Sequence, residues 1–146
     1  NQLTGLMPEG KFISIFYGIY NAETKEYKFA SGGHPPVILY RAATGEVEKL
    51  KAKGSILGIF EGMKYQGLAV SLEKGDKILL YTDGLTECQN PEGLRFGENA
   101  LVEQVKEFGK LKVGEFIDHL YNNIIHYMDG NQLDDDLTMV AFEVTE

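Results

Sequence analysis

The sequence predicts an α+β domain, and three observations carry that prediction. Strand-like apolar runs fill the first 83 residues, two segments with helical spacing follow Phe96, and residues 137–144 return to a strand pattern. The chain of 146 residues is long enough for one domain with a core of its own. No repeat, low-complexity tract or linker divides it, so residues 1–146 read as a single domain.

"FISIFYGIY" (12–20) carries β-branched and aromatic residues on both alternating faces, which predicts a strand covered on both sides. "NAETKE" (21–26) is turn material and "YKFAS" (27–31) alternates, so 12–31 reads as a hairpin. "GGHPP" (32–36) makes a rigid corner, because glycine frees the backbone and the two prolines remove donors. "VILY" (37–40) and "EVEKL" (46–50) flank "RAATGE" as a second hairpin. "SILGIF" (55–60) lies between glycines, "QGLAVSL" (66–72) holds a short strand, and "EKGD" (73–76) turns the chain into "KILLYTD" (77–83). To this point the pattern is an antiparallel meander without a strong helix signal.

After Phe96 the period changes. Leu101, Val105 and Phe108 predict a helix within 97–110. Val113, Phe116, Ile117, Leu120, Ile124, Tyr127 and Met128 predict a second, clearly amphipathic helix over 113–128. "DGNQLDDD" (129–136) is an acidic loop ahead of the strand "LTMVAFEV" (137–144).

A net charge of −8 argues against nucleic acid or an anionic membrane surface as the main partner, since phosphate backbones require clustered Lys and Arg. No apolar run approaches the roughly 18 residues that span a bilayer, and "NQLTGLMPEG" lacks the signature of a secretion signal. The single cysteine, Cys88, has no internal disulfide partner. These features fit a reducing cytoplasm, and the start without methionine reads as a piece of a longer protein.

Two acidic motifs stand out. Asp83 closes an apolar strand in "LLYTDGLTE", and Asp135 and Asp136 directly precede the last strand. If those strands pair antiparallel, Asp83 shares a sheet lip with Asp135 or Asp136. Adjacent carboxylates repel, and either take up a proton or recruit a cation. Oxygen ligands without nearby Cys or His suit Mg²⁺ or Mn²⁺. Alone, however, an Asp-Gly after a strand is more often a plain turn, and an Asp before a strand is often a solvated cap. An EF-hand is disfavoured, because Leu133 occupies a ligand position and Asp134 stands where that loop needs glycine. Nucleotide-binding glycine motifs are absent. His34 either locks its loop or lines a site, and His119 and His126 fall on a helix surface. Arg41 and Arg95 are placed to meet an anionic substrate, with a solvated arginine as the default reading.

Four segments in this order, "FISIFYGIYNAETKEYKFASGGHPPVILYR", "GSILGIF", "GDKILLYTDGLTECQNPEGLRFG" and "DDDLTMVAFEV", resemble the C-terminal part of PP2C-like metal-dependent serine/threonine phosphatases of the bacterial SpoIIE and RsbU type. The resemblance spans essentially the whole chain, and "YTDGLTE" and "DDLT" are its most diagnostic parts. It implies an antiparallel β-sandwich flanked by helices, with the N-terminal part of the domain absent. It also implies a site for two Mg²⁺ or Mn²⁺ ions, between which an activated water attacks a phosphoserine or phosphothreonine. Carried over, Asp83 and Asp135 are the metal ligands. Gly84, Asp136 and His34 are site neighbours, Gly84 letting backbone approach.

The sequence departs from the family in lacking an upstream Asp-containing "GD" segment and an Asp-Gly-His-Gly-like segment, which supply the bridging ligand and a carbonyl ligand. The expectation is therefore a parent phosphatase in bacterial signalling or sigma-factor regulation, acting on a phosphorylated protein such as an anti-anti-sigma-type regulator. This segment itself would bind metal weakly and be inactive, with sheet edges open to self-association. The alternative is a non-catalytic, phosphatase-like module that binds a regulatory protein.

Overall fold

The computed structural model describes Leu6, Pro8 and residues 10–59 and 61–146. Most of "NQLTGLMPEG", and Phe60 of "SILGIF", therefore lie outside the described residues. In chain order the elements are β1 (Ile15–Asn21), β2 (Glu26–Gly32), β3 (Val37–Tyr40), β4 (Val47–Leu50), β5 (Leu68–Ser71), β6 (Lys77–Tyr81), α1 (Asp83–Glu87), α2 (Gly97–Phe108), α3 (Val113–Met128) and β7 (Met139–Glu143). The α+β class is as expected, with two antiparallel sheets and three helices among the described residues. The strands do not form one meander. They divide into a sheet of order β1-β2-β5 and a sheet of order β4-β3-β6-β7. Contacts separate the chain into two compact units, one comprising the segment up to Pro36 with Lys51–Leu72, the other Val37–Leu50 with Glu73–Glu146.

In the first unit the predicted hairpin forms, with Ile15 opposite Gly32 and Asn21 opposite Glu26. The Asn21 side chain accepts the amides of Glu23 and Thr24 and so closes the turn. β2 then pairs with β5, and Phe29 stacks between Phe16 and Tyr27 at centroid distances of 5.7 and 5.9 Å. The expectation that β1 is covered on both sides is corrected: Ile15, Tyr17 and Ile19 are 40%, 60% and 53% exposed. Their period of two puts them on one face of an edge strand, and of the other face only Phe16 and Tyr20 gain partial cover.

In the second unit the central strands β3 and β6 are almost wholly buried, as their unbroken apolar runs require. One face carries the core, where Ile38, Tyr40, Leu79 and Tyr81 meet Leu101 and Val105 of α2 and Phe116, Leu120 and Ile124 of α3. These helical residues are among those picked out by their spacing. α3 ends where Asp129 adopts a left-handed conformation, φ 44°, with Gly130 following. Its first amide, Val113 N–H, is taken by Glu143 of β7, which also pairs at 3.4 Å with the buried Lys77. Arg41 is not simply solvated. It binds Glu48 at 2.6 Å and the buried Asp76 at 3.0 Å, while Asp76 also accepts the amides of Ala42 and Glu73.

Candidate metal centre

The lip of the second sheet is built by the pairing of β6 with β7. Their register sets Tyr81 opposite Met139 and Lys77 opposite Glu143, so the residues just past Tyr81 meet those just before Met139. Antiparallel pairing thus brings Asp83 and the 135–136 pair to the same end of the sheet, as the strand order requires.

One hydroxyl fastens this end. Thr82 Oγ1 donates to the carbonyl of Asp136 at 2.8 Å and accepts the amide of Thr138 at 2.9 Å. The Thr82 amide in turn donates to the Thr138 carbonyl at 3.1 Å. Nothing in the sequence singles out Thr82, because a threonine at a strand end is ordinary until the neighbouring strand is known.

Asp83 does more than close a turn, correcting the simple turn reading of Asp-Gly. It opens the short helix α1, with extended Thr82 before it and the Leu85 amide returning to the Thr82 carbonyl. Gly84 is buried, and a Cβ there would stand 2.6 Å from the Asp136 carbonyl oxygen and 3.1 Å from that of Asp135. Glycine at this position therefore lets the first turn of α1 rest directly on the backbone of the acidic pair. What Gly84 approaches here is the 135–136 main chain.

Asp83, Asp135 and Asp136 are all exposed. Asp135 Oδ1 accepts the amide of Asp136 at 2.7 Å, which fixes that carboxylate and leaves its second oxygen for another partner. Residues 133–138 line an open, mainly polar concavity. Carboxylate oxygen is the donor class that Mg²⁺ and Mn²⁺ prefer. In kind the residues fit such an ion; in number they do not complete its shell, since among the described residues no three or more His, Cys, Asp or Glu side chains are grouped to hold a metal.

His34 belongs to the first unit, where its ring tilts against Phe16 at 6.4 Å and its carbonyl accepts the Ser31 hydroxyl. His119 and His126 are exposed on α3, as expected, with His119 stacked on Phe108 at 4.9 Å. Cys88 is buried, donates to the Leu85 carbonyl at 3.1 Å, and has its thiol pKa pushed up by burial, the opposite of what a nucleophile needs.

Comparison with known proteins fits this architecture. A family profile described as Stage II sporulation protein E (SpoIIE) matches residues 1–145. The chain belongs to the SpoIIE family. Among curated SpoIIE-like relatives, the phosphoserine phosphatase RsbU of Bacillus subtilis is 33% identical over 130 residues, which is 89% of this chain and 38% of that protein. Phosphoserine phosphatase RsbP of the same organism is 22% identical over 116 residues, 80% of this chain and 27% of that protein. The chain thus spans well under half the length of either. In structure, the RsbU and RsbW domains of Rv1364c from Mycobacterium tuberculosis match with a TM-score of 0.77 at 22% identity, covering 99% of this chain and 39% of that one. The SiaA-PP2C domain of Pseudomonas aeruginosa matches with a TM-score of 0.71 at 21% identity, covering 82% of this chain and 47% of that one. At those identities the likeness establishes the PP2C-like fold of this SpoIIE-family chain, of which the sequence represents a part.

Proposed function

We propose that this chain is the C-terminal part of a metal-dependent protein serine/threonine phosphatase domain of bacterial signalling, one domain across residues 1–146. Asp83 and Asp135 are two of its metal ligands, and its setting is the cytoplasm. The observation that carries this reading is the apposition of Asp83 with the 135–136 pair, held by Gly84 and Thr82. Membership of a family whose curated relatives include two named phosphoserine phosphatases supports the reaction class. Among the described residues no helix is long and apolar enough to cross a membrane.

In this reading each residue has a physical task. Bound Mg²⁺ or Mn²⁺ supplies an acidified water and offsets charge on the phosphoryl oxygens. The Asp83 and Asp135 carboxylates hold the ions, and the Asp136 amide keeps Asp135 oriented. Thr82 holds the acidic loop to the strand that ends beside Asp83. The substrate is a phosphorylated protein, such as an anti-anti-sigma-type regulator, docked on the surface around this lip.

Because two carboxylates cannot complete the shell, the segment alone is expected to bind Mn²⁺ weakly and to turn over little p-nitrophenyl phosphate. The full-length protein is expected to hydrolyse it with Mn²⁺ and to lose that activity on Asp83→Asn or Asp135→Asn. Robust turnover by the isolated segment would contradict the incomplete site. A full-length protein inert with Mn²⁺ would favour the non-catalytic, partner-binding module.

A further inference from the structure

The loop between α1 and α2 is the strongest feature the metal centre does not use. Residues 88–96 double back, with Gln89 bridged to Arg95 and the Phe96 amide bonded to the Cys88 carbonyl at 2.9 Å. Asn90 closes the tip, accepting the Leu94 amide on its side chain at 2.8 Å and the Gly93 amide on its carbonyl at 2.9 Å. Two outside contacts pin the loop. Tyr127 of α3 donates to the Leu94 carbonyl at 2.9 Å, and Asn131 of the acidic loop donates to the Gln89 carbonyl at 3.2 Å. A loop held at both ends and at its tip presents side chains in fixed positions.

What it presents is Leu94, 62% exposed, and Arg95, whose side chain is 62% exposed. Arg95 Nη1 reaches Glu87 Oε1 at 2.8 Å. Glu87 lies four residues after Asp83 in α1, hence on the same helix face one turn away. Across 83–96 and 129–138, the two segments that build the lip, Arg95 is the sole basic residue, and every other charge is acidic. A phosphorylated, acidic partner approaching this lip meets repulsion everywhere except at Arg95 and at bound metal.

Resting on the phosphatase reading above, we propose that Arg95, with Leu94 beside it, is a docking point that selects phosphoprotein substrates by an acidic side chain near the phosphorylated residue. The guanidinium has five N–H donors in a planar fork suited to a carboxylate, and only one is engaged by Glu87. Given one helical turn from Asp83 to Glu87 and the pair beyond it, the recognised acid lies within about three residues of the phosphorylated one along an extended chain.

The test uses the full-length protein with Mn²⁺ and two phosphoserine peptides that differ only in an Asp or an Asn three residues from the phosphoserine. Phosphate release gives kcat and KM for each, and fluorescence anisotropy gives the affinity of each. The wild type should prefer the acidic peptide. Arg95→Ala should shrink the kcat/KM ratio of the two peptides about tenfold, through KM, Arg95→Lys should restore part of it, and Arg95→Glu should reverse the preference. A ratio that Arg95→Glu leaves unchanged overturns the proposal. If the protein hydrolyses neither peptide, the phosphatase reading fails and anisotropy decides the docking point by itself. Selective weakening of the acidic peptide by Arg95→Glu then upholds it, and equal weakening of both rejects it.

Discussion

Gly84 and Tyr81 flank the same strand end and make opposite demands on substitution. At Gly84 an added methyl would meet the main-chain oxygens of Asp135 and Asp136, neither of which belongs to a flexible side chain. Gly84→Ala should therefore cost about 1–3 kcal/mol by overpacking, read as a lower urea midpoint at unchanged m. Tyr81 is buried, and among the described residues its hydroxyl has no hydrogen-bond partner. Removing that oxygen relieves an unsatisfied group, so Tyr81→Phe should be neutral or stabilising by up to about 1 kcal/mol at neutral pH. Burial first, and then the charge of Glu98, raise the Tyr81 pKa above the ordinary tyrosine value. The unfolded chain gives up that proton first, so this contribution is whole below about pH 10 and is lost as pH rises beyond it toward the folded pKa. Thermal melts of the wild type should fall above pH 10 more steeply than those of Tyr81→Phe; parallel curves would refute the assignment.

At the scale of elements, β1 is an edge strand whose sequence, "IFYGIYN", carries neither charge nor proline. Natural edges are commonly blunted by such residues, and an uncharged edge with an apolar face invites pairing with another chain. The segment is expected to self-associate at micromolar concentrations in sedimentation velocity, and Tyr17→Lys should shift it toward monomer. A monomer at all concentrations would show that the edge is covered by other means. β1 also shows where sequence reasoning stops. Apolar residues on both faces show what a strand would bury, but not whether the chain supplies the cover. The helices α2 and α3 were legible almost to the residue, because about three and about four turns of amphipathic spacing leave little choice of face. The five-residue α1 was not, since one turn has no period and is held by Thr82 and by the acidic backbone beside Gly84.

At the scale of the molecule, both hairpins could be read from their turns, whereas the pairings β2–β5 and β3–β6 could not. Alternation fixes which residues share a face and is silent about which distant strand lies alongside. The candidate site was legible only through one assumed pairing, 77–83 with 137–144, and the register of Tyr81 opposite Met139 realises it. Thr82 stayed hidden because its role exists only once that register does. The hydroxyl that clasps Asp136 also ends the β6–β7 ladder. Peeling β7 from β6 therefore dismantles the acidic lip, and anything that binds only the assembled lip must oppose the peeling. If the lip holds an ion as proposed, ion binding and strand opening form a single thermodynamic cycle. In the full-length protein, saturating Mn²⁺ should slow amide hydrogen exchange along Val140–Glu143, far from any ligand, and Thr82→Val should uncouple the two. The last strand would then serve as a remote gauge of metal occupancy, readable by mass spectrometry without any substrate.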